Sequence, residues 1–139
     1  MRTELLEQTS AIILDWVGPL VLCPSEVRRV PIGIPGIYML HALAPSRGGY
    51  AVFYAGKASD LRRRLLQHLG AHTAKLSVRA ARELDPARWS AAPVLDAALL
   101  SRVEAGLILA LHPICNTQVP SAEPVLVNLP PLSFLTAAI

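Results

Sequence analysis

Two short runs of β-forming residues, at positions 37–43 and 50–55, constrain the fold of this chain more than any other feature. The six residues between them, 44–49, contain one proline and two glycines, a composition that is typical of a turn. Two strands joined by so short a connection pair antiparallel. The sequence therefore predicts a β-hairpin at its centre.

The segment before the hairpin predicts a helix and a connector. Residues 3–16 have apolar side chains spaced for one side of an amphipathic helix, which Thr3 is placed to cap. Four prolines then interrupt residues 17–35, so this stretch is predicted to connect elements, with a short strand at 20–23.

Helices and one further strand are predicted after the hairpin. Ser59 is predicted to cap a helix that ends at Gly70, and residues 73–84 show a weaker helical pattern. Positions 89–95 form a third candidate strand, and residues 96–111 predict a strong helix. The fold class that follows is α+β.

Length and composition limit the classes of protein to consider. The chain has 139 residues, which suits a single domain spanning residues 1–139. It is 53% hydrophobic and 17% charged, which excludes a disordered chain. The least polar stretch, 105–122, has an apolar part of only about ten residues, too short to span a membrane. The two cysteines share no motif spacing, which favours a reduced, cytoplasmic setting.

The C-terminal third is apolar and rich in proline. Between Ala105 and Ile139 the single charged residue is Glu123, and the tail from Pro120 contains four prolines. Such a tail is too apolar for an unpacked linker, so it is predicted to pack on the body or to form an interface, including a homodimer contact.

Basic residues are concentrated in one window. From Lys57 to Arg88 the chain has eight basic and three acidic residues, a net charge of +5. A basic block on a near-neutral body suits a polyanionic partner. Charge alone, however, favours a solvated helical surface.

Glu104 is an unusual residue for its position. On a helix over 96–111, it falls among apolar side chains on one face. A carboxylate on such a face needs an arginine, several hydrogen-bond donors or a cation. A structural Glu–Arg pair and a metal site both remain open at this point.

Arg64 and His68 are spaced four residues apart along the edge of a leucine stripe, so both are predicted to face a cleft. The planar guanidinium of Arg64 suits a phosphoryl oxygen. His68 is suited to donate to phosphate or to relay a proton, although a surface histidine is the commoner case.

Several of these features occur in the order of a known family. The motifs are Gly36-Ile37-Tyr38, Tyr54-Ala55-Gly56, Asp60-Leu61 followed by Arg64 and His68, then Glu104, and Pro113 followed by Asn116. This set resembles the GIY-YIG nuclease superfamily over about residues 34–118. The second motif has alanine where the family has isoleucine. That change is expected to alter packing rather than chemistry.

The resemblance implies a fold and a reaction. The fold is a small three-stranded antiparallel sheet flanked by helices, here with an extra N-terminal helix and the proline-rich tail. The reaction is phosphodiester hydrolysis with one divalent cation, Mg²⁺ or Mn²⁺, for which Glu104 would be the direct protein ligand. Arg64 would neutralise the phosphate.

The resemblance also implies roles for the remaining site residues. Tyr38 is the candidate general base, and Tyr54 would hold the attacking water or a phosphate oxygen. Because a phenol has a pKa near 10, nearby cations such as Arg64 and Lys57 would have to lower it. His68 would assist Tyr38, and Asn116 would order the site from outside.

The expected function is a metal-dependent DNA endonuclease guided by DNA structure, single strands or loose sequence preference; RNA stays open as a substrate. Phosphate contacts are expected from five arginines, namely Arg62, Arg63, Arg79, Arg82 and Arg88. Two alternatives are a non-catalytic nucleic-acid-binding module on the same fold and a protein-interaction domain that uses the apolar C-terminal third.

Overall fold

The computed structural model describes residues 11–44, 49–69, 87–113, 115–116 and 120–130. Six strands and three helices lie in these ranges. In chain order they are β1 (Ala11–Ile12), β2 (Val17–Val21), α1 (Pro24–Val27), β3 (Gly36–Ala44), β4 (Gly49–Ala58), α2 (Leu61–Leu69), β5 (Arg88–Pro93), α3 (Ala97–Leu111) and β6 (Leu126–Val127).

The central sheet has four antiparallel strands in the order β2-β5-β3-β4, whereas three were predicted. The additional strand is β2, which lies within the predicted connector. Pro19 has no N–H to donate, and an edge strand tolerates this because one side of its backbone needs no partner. The buried indole of Trp89 ties β2 to β5, because its Nε1 donates to the carbonyl of Val21 at 3.2 Å.

The predicted hairpin is formed by β3 and β4, and it contains a β-bulge. Pairing runs from Gly36 opposite Ala58 to Ala44 opposite Gly49, with a register shift after Leu40. The shift places Phe53 and Tyr54 on the same face of the sheet. Simple alternation would place Val52 on the face of Tyr54, but the extra residue in the bulge reverses the order, and Val52 packs on the opposite face.

The sheet is the middle of three layers. On one face, Leu61 and Leu65 of α2 pack against Tyr38 and Trp89. On the other face, α3 is buried against β3 and β4 through a second apolar cluster, which includes Ile37, Met39, Ala55, Leu100, Val103 and Leu107. Tyr38 and Tyr54 therefore face α2, while Ala55 faces α3.

The predicted N-terminal helix is wrong for the part of it that the structure describes. Residues 11–12 form β1, which pairs parallel with β6, and residues 13–16 are not helical. The side chain of Asn128 holds this segment: its Oδ1 accepts from the N–H of Leu14 at 2.6 Å, and its Nδ2 donates to the carbonyl of Leu14 at 3.0 Å. Pairing with a distant part of the chain therefore overrides the local helical pattern. Residues 1–10 lie outside the described residues.

Helices α2 and α3 lie close to their predicted positions. Asp60, rather than the predicted Ser59, caps α2, because its Oδ1 accepts from the N–H of Arg63 at 3.2 Å. Asp96 caps α3 by accepting from the N–H groups of Ala98 and Leu99. The predicted end of α2 at Gly70 and the predicted helix over 73–84 lie outside the described residues. In the part of the chain that is described, no helix has the length and apolar character needed to cross a membrane.

The tail packs along α3 as far as it is described, to residue 130. Arg102 Nε donates to the carbonyl of Glu123 at 3.1 Å. The buried Val125 lies over Gly106, where a side chain would collide with the Val125 carbonyl. Gly106 therefore lets the tail approach the helix. Residues 131–139, the last part of the apolar C-terminal region, lie outside the described residues, and the homodimer contact predicted for this region stays a prediction.

A buried histidine should make the stability of this fold depend on pH. His41 lies on β3 opposite Arg88, is fully buried, and its Nε2 is 2.9 Å from Oγ of Ser90. Burial, with a smaller contribution from Arg88, lowers the pKa of His41 from 6.5 to about 4. Between pH 4 and pH 6.5, His41 is therefore protonated in the unfolded chain but not in the folded chain. The free energy of unfolding consequently falls as the pH drops from 6.5 to 4.

We expect the titration of His41 to lower the free energy of unfolding by at most about 3 kcal/mol between pH 6.5 and pH 4. Urea denaturation of the wild type and of His41→Gln, at several pH values, measures the effect. The variant cannot titrate at this position, so its free energy of unfolding should fall less below pH 6.5. Equal pH dependence in the two proteins would contradict the assignment.

Candidate active site

The hydroxyl of Tyr38 is the centre of a buried polar cluster on the α2 side of the sheet. It lies 2.8 Å from Nε2 of His68 and accepts a hydrogen bond from Nε of Arg64 at 3.3 Å. Arg64 and His68 are one helical turn apart on α2, so both side chains reach the same point on β3. Tyr38 is only 1% exposed and His68 only 2% exposed. His68 was predicted to face a cleft; it lies buried behind Tyr38 instead.

The second motif tyrosine completes this cluster. The rings of Tyr38, Tyr54 and His68 have centroids 5.4 to 6.0 Å apart and are mutually tilted. Gly56 lies directly opposite Tyr38 in the hairpin. A Cβ atom at Gly56 would lie 2.8 Å from the Tyr38 hydroxyl and 3.0 Å from the Tyr54 ring. The glycine of the second motif therefore leaves the space in which the phenol of Tyr38 sits.

The glycine of the first motif has a different structural purpose. A Cβ atom at Gly36 would collide with the backbone carbonyl of Ala92 on β5 and would lie 2.7 Å from the Leu61 side chain. Gly36 therefore allows β3, β5 and the start of α2 to approach one another closely. It acts on the fold, whereas Gly56 acts on the position of Tyr38.

Burial strongly affects the acidity of the Tyr38 phenol. Desolvation raises the pKa of Tyr38 well above its usual range, and the adjacent Tyr54 raises it further, while Arg64 acts in the opposite direction. The expectation that neighbouring cations lower this pKa holds for the contribution of Arg64, but the loss of solvent outweighs it. At neutral pH the phenol keeps its proton, and its oxygen shares a hydrogen bond with Nε2 of His68, whose direction follows the tautomer of the histidine.

Glu104 lies on α3, on the other side of β4 from the tyrosines. It is half-buried rather than fully inside the apolar face, because α3 meets the edge of the sheet at this point. Its Oε2 accepts a hydrogen bond from the backbone N–H of Lys57 at 3.2 Å. The ammonium of Lys57 donates to Oγ of Ser101 at 2.8 Å. The sequence analysis missed Ser101; its position three residues before Glu104, on the same helix face, was the signal for it.

A cavity of about 330 Å³ opens beside these residues, lined by Lys57, Ala58, Ser59, Asp60, Arg63, Arg64 and Gln67. Three of the lining side chains are cations and one is a carboxylate, which is engaged as the cap of α2. Arg64 is oriented by Gln67, whose Oε1 accepts from Nη1 at 3.1 Å. The excess of positive charge suits a phosphate group.

Asn116 lies against the outer edge of β4. Its Oδ1 accepts from the N–H of Ala55 at 2.9 Å, and its Nδ2 donates to the carbonyl of Ala55 at 2.8 Å. The N–H of Cys115 donates to the carbonyl of Phe53 at 2.8 Å. Residues 115–116 therefore pair with β4 in the way that a neighbouring strand would, next to Tyr54.

The arginines predicted to contact phosphate are dispersed. Arg63 lines the cavity. The guanidinium of Arg62 donates to the carbonyls of Val30 and Arg28, so it is engaged in holding the loop before β3. Arg88 is on β5 and is not among the residues that line the cavity. The predicted Arg79 and Arg82 lie outside the described residues.

The donor set near the cavity fits one weakly held oxygen-liganded cation. Among the described residues, no three His, Cys, Asp or Glu side chains cluster in a way that could enclose a metal ion. Glu104 offers a half-buried carboxylate that is bonded to the backbone of Lys57, one of the residues that line the cavity. Mg²⁺ is commonly bound by one or two carboxylates while it retains several waters.

Solved structures with the same fold are known, although sequence comparisons are silent: no protein-family model matches this sequence, and no curated protein does. The N-terminal endonuclease domain of UvrC from Thermotoga maritima, a GIY-YIG domain bound to its catalytic divalent cation, magnesium, is 23% identical to this chain. The match covers 66% of this chain and 97% of that domain, with a TM-score of 0.51.

Point mutants of the same Thermotoga maritima domain, also bound to the divalent cation, match equally well. A tyrosine mutant is 22% identical and an asparagine mutant 21% identical. Each match covers 67% of this chain and 97% of the domain, with a TM-score of 0.52. The antiparallel sheet and its flanking helices thus agree with the resemblance found in the sequence, and the chain has the GIY-YIG fold.

Proposed function

We propose that this protein is a divalent-metal-dependent endonuclease that hydrolyses phosphodiester bonds in DNA. The observation that carries the proposal is that Arg64 and Lys57 line one cationic cavity, while Tyr38 is hydrogen-bonded to Arg64 and Glu104 to the backbone of Lys57. Positioned cations near a carboxylate that could hold a metal ion are suited to stabilise the charge that develops in phosphoryl transfer. The likeness to the UvrC endonuclease domain supports this assignment at the level of the fold.

Tyr38 and His68 would together accept the proton of the attacking water. A buried tyrosinate would be costly, since desolvation raises the pKa of Tyr38. The 2.8 Å contact with Nε2 of His68 offers a route that avoids it: as Tyr38 takes a proton from water, its own proton passes to His68. Tyr54, in ring contact with both residues, would hold the water or a phosphate oxygen.

Arg64 and Lys57 would bind and neutralise the phosphate. Arg64 is fixed by Tyr38 and Gln67, so its guanidinium is oriented before substrate arrives. Preorganised donors of this kind stabilise developing negative charge without a reorganisation cost. Arg63, which also lines the cavity, would contact a neighbouring phosphate of the strand.

Glu104 would hold one Mg²⁺ or Mn²⁺ ion, with water and phosphate oxygens as the other ligands. The bound ion would supply charge stabilisation at the phosphoryl and leaving oxygens. Asn116 would act indirectly, by fixing the segment of β4 that carries Tyr54 and Lys57. A preference for distorted or single-stranded DNA, action on RNA, a cytoplasmic location and a homodimer through the C-terminal region remain predictions.

Glu104→Gln should abolish cleavage while it preserves the fold. The amide oxygen can still accept from the N–H of Lys57, but it lacks the charge needed to hold a divalent cation. We expect cleavage of supercoiled plasmid, linear duplex and single-stranded DNA in Mg²⁺ or Mn²⁺ to fall by at least about 100-fold. EDTA should have the same effect on the wild type.

Glu123→Gln, which changes an exposed carboxylate in the tail, is the matched control and should cleave normally. Cleavage by Glu104→Gln at the wild-type rate would exclude this role for Glu104. Salt-sensitive DNA binding with no cleavage by any protein would instead favour a non-catalytic binding module. If the protein neither binds nor cleaves DNA, a protein-interaction domain would be favoured.

The two motif glycines should respond differently to alanine. Gly36→Ala meets the carbonyl of Ala92 and should destabilise the fold by roughly 1–3 kcal/mol. Gly56→Ala meets the end of the Tyr38 side chain, which can shift, so we expect a smaller loss of stability and about a tenfold or greater loss in kcat. Thermal unfolding and cleavage kinetics of both variants test this. Wild-type turnover by Gly56→Ala would contradict the placement of Tyr38.

A further inference from the structure

The side chain of Lys57 is held by a residue that belongs to none of the sequence motifs. Its ammonium donates a hydrogen bond to Oγ of Ser101 at 2.8 Å. The backbone N–H of the same lysine donates to Oε2 of Glu104 at 3.2 Å. Ser101 and Glu104 are three residues apart on α3, so both side chains face β4. Lys57 of β4 is thus attached to α3 through both its backbone and its side chain.

The chemistry of this contact matters for the cavity. A lysine side chain is long and flexible, and it points in a fixed direction only where a partner holds it. A carboxylate partner would hold Lys57 but would also compensate its charge, whereas the hydroxyl of Ser101 is neutral. The contact therefore fixes the direction of the ammonium and leaves its positive charge available to an anion in the cavity that Lys57 lines.

The second oriented cation of the cavity is held in the same manner. Nη1 of Arg64 donates to the neutral amide oxygen of Gln67 at 3.1 Å, and Nε of Arg64 donates to the phenol of Tyr38. Two cations that line one cavity are thus each oriented by neutral oxygen atoms. This arrangement suits a site that must bind a phosphate and whose cations must be in place before it arrives.

We propose that Ser101 is a positioning residue, which holds in one place the ammonium of Lys57, a residue that lines the proposed phosphate-binding cavity. Its consequence for catalysis rests on the proposed nuclease function, but the hydrogen bond itself can be tested without it. Ser101 touches neither the substrate nor a metal ion in this account; it acts through Lys57.

The direct test is the mobility of the Lys57 ammonium. The chain contains two lysines, Lys57 and Lys75, so protein labelled with ¹⁵N-lysine gives two Nζ resonances in NMR spectra, and Lys57→Arg assigns them. In Ser101→Ala we expect the Nζ of Lys57 to become as mobile as an unrestrained lysine, with proton exchange faster by roughly tenfold. Ser101→Thr should keep the wild-type behaviour, because it retains the hydroxyl.

The matched control is Ser121→Ala, which removes an exposed hydroxyl from the tail and should leave the Lys57 signal unchanged. An Nζ of Lys57 that is equally ordered in the wild type and in Ser101→Ala would overturn the proposal. Because alanine is a better helix former than serine, the variant should remain folded. The result does not depend on whether the protein cleaves DNA.

The catalytic consequence is tested by a double-mutant cycle. Ser101→Ala should lower kcat by about threefold to tenfold, with a smaller effect on KM, and Ser101→Thr should restore it. In a Lys57→Met background, the same Ser101→Ala change should cause no further loss. An equal loss in both backgrounds, or no loss in either, would overturn the positioning role. A mobile Lys57 in Ser101→Ala, with no cleavage by the wild type, would leave the contact established and refute the nuclease assignment instead.

Discussion

The backbone groups at the outer edge of β4 need hydrogen-bond partners, and the residues that supply them assemble the candidate site. An edge strand presents backbone N–H and C=O groups that must be satisfied. Within the described residues no strand pairs with this edge. Instead, Cys115 and Asn116 form hydrogen bonds with the backbone of Phe53 and Ala55. The carboxylate of Glu104 accepts a hydrogen bond from the N–H of Lys57. The side chain proposed to hold a metal ion therefore also completes the sheet.

The two faces of β4 carry different functional groups, a phenol on the α2 side and an ammonium on the α3 side. Tyr54 faces α2 and joins the buried cluster of Tyr38, Arg64 and His68. Lys57 reaches toward α3 and binds Ser101. Between them lies Gly56, which has no side chain to separate the two halves. A strand with helices on both faces thus connects a buried phenol cluster on one side with a lysine and a carboxylate on the other, and Arg64 and Lys57 from the two sides line one cavity.

Local sequence signals predicted the parts of the molecule whose contacts are local. The hairpin, the Asp96-capped helix α3 and the four-residue spacing of Arg64 and His68 all follow from patterns within a few residues. Strand β2 overlaps the short strand predicted at 20–23, but its place in the sheet was not predicted, because Pro19 is typical of a connector and the partner strand β5 is distant in the chain. The N-terminal segment pairs with residues more than 110 positions away, which no local pattern can indicate.

Within the site, the motif residues could be identified from the sequence, but their surroundings could not. The burial of His68 and of Tyr38 depends on packing between β3 and α2, and the burial of Tyr38 raises the pKa of its phenol. The half-buried position of Glu104 depends on where α3 crosses the sheet edge. Ser101 shares a helix face with Glu104, but its contact could not be predicted, because its partner Lys57 comes from β4.

Titration with Mn²⁺, followed by NMR of the backbone amides, would locate the divalent-cation site. The claim is that a divalent cation binds at Glu104, where the carboxylate meets the N–H of Lys57. Paramagnetic broadening should then be strongest at the amides of Lys57 and its neighbours in β4 and should disappear in Glu104→Gln. Broadening centred elsewhere, or unchanged in that variant, would contradict a metal site at the edge of this sheet.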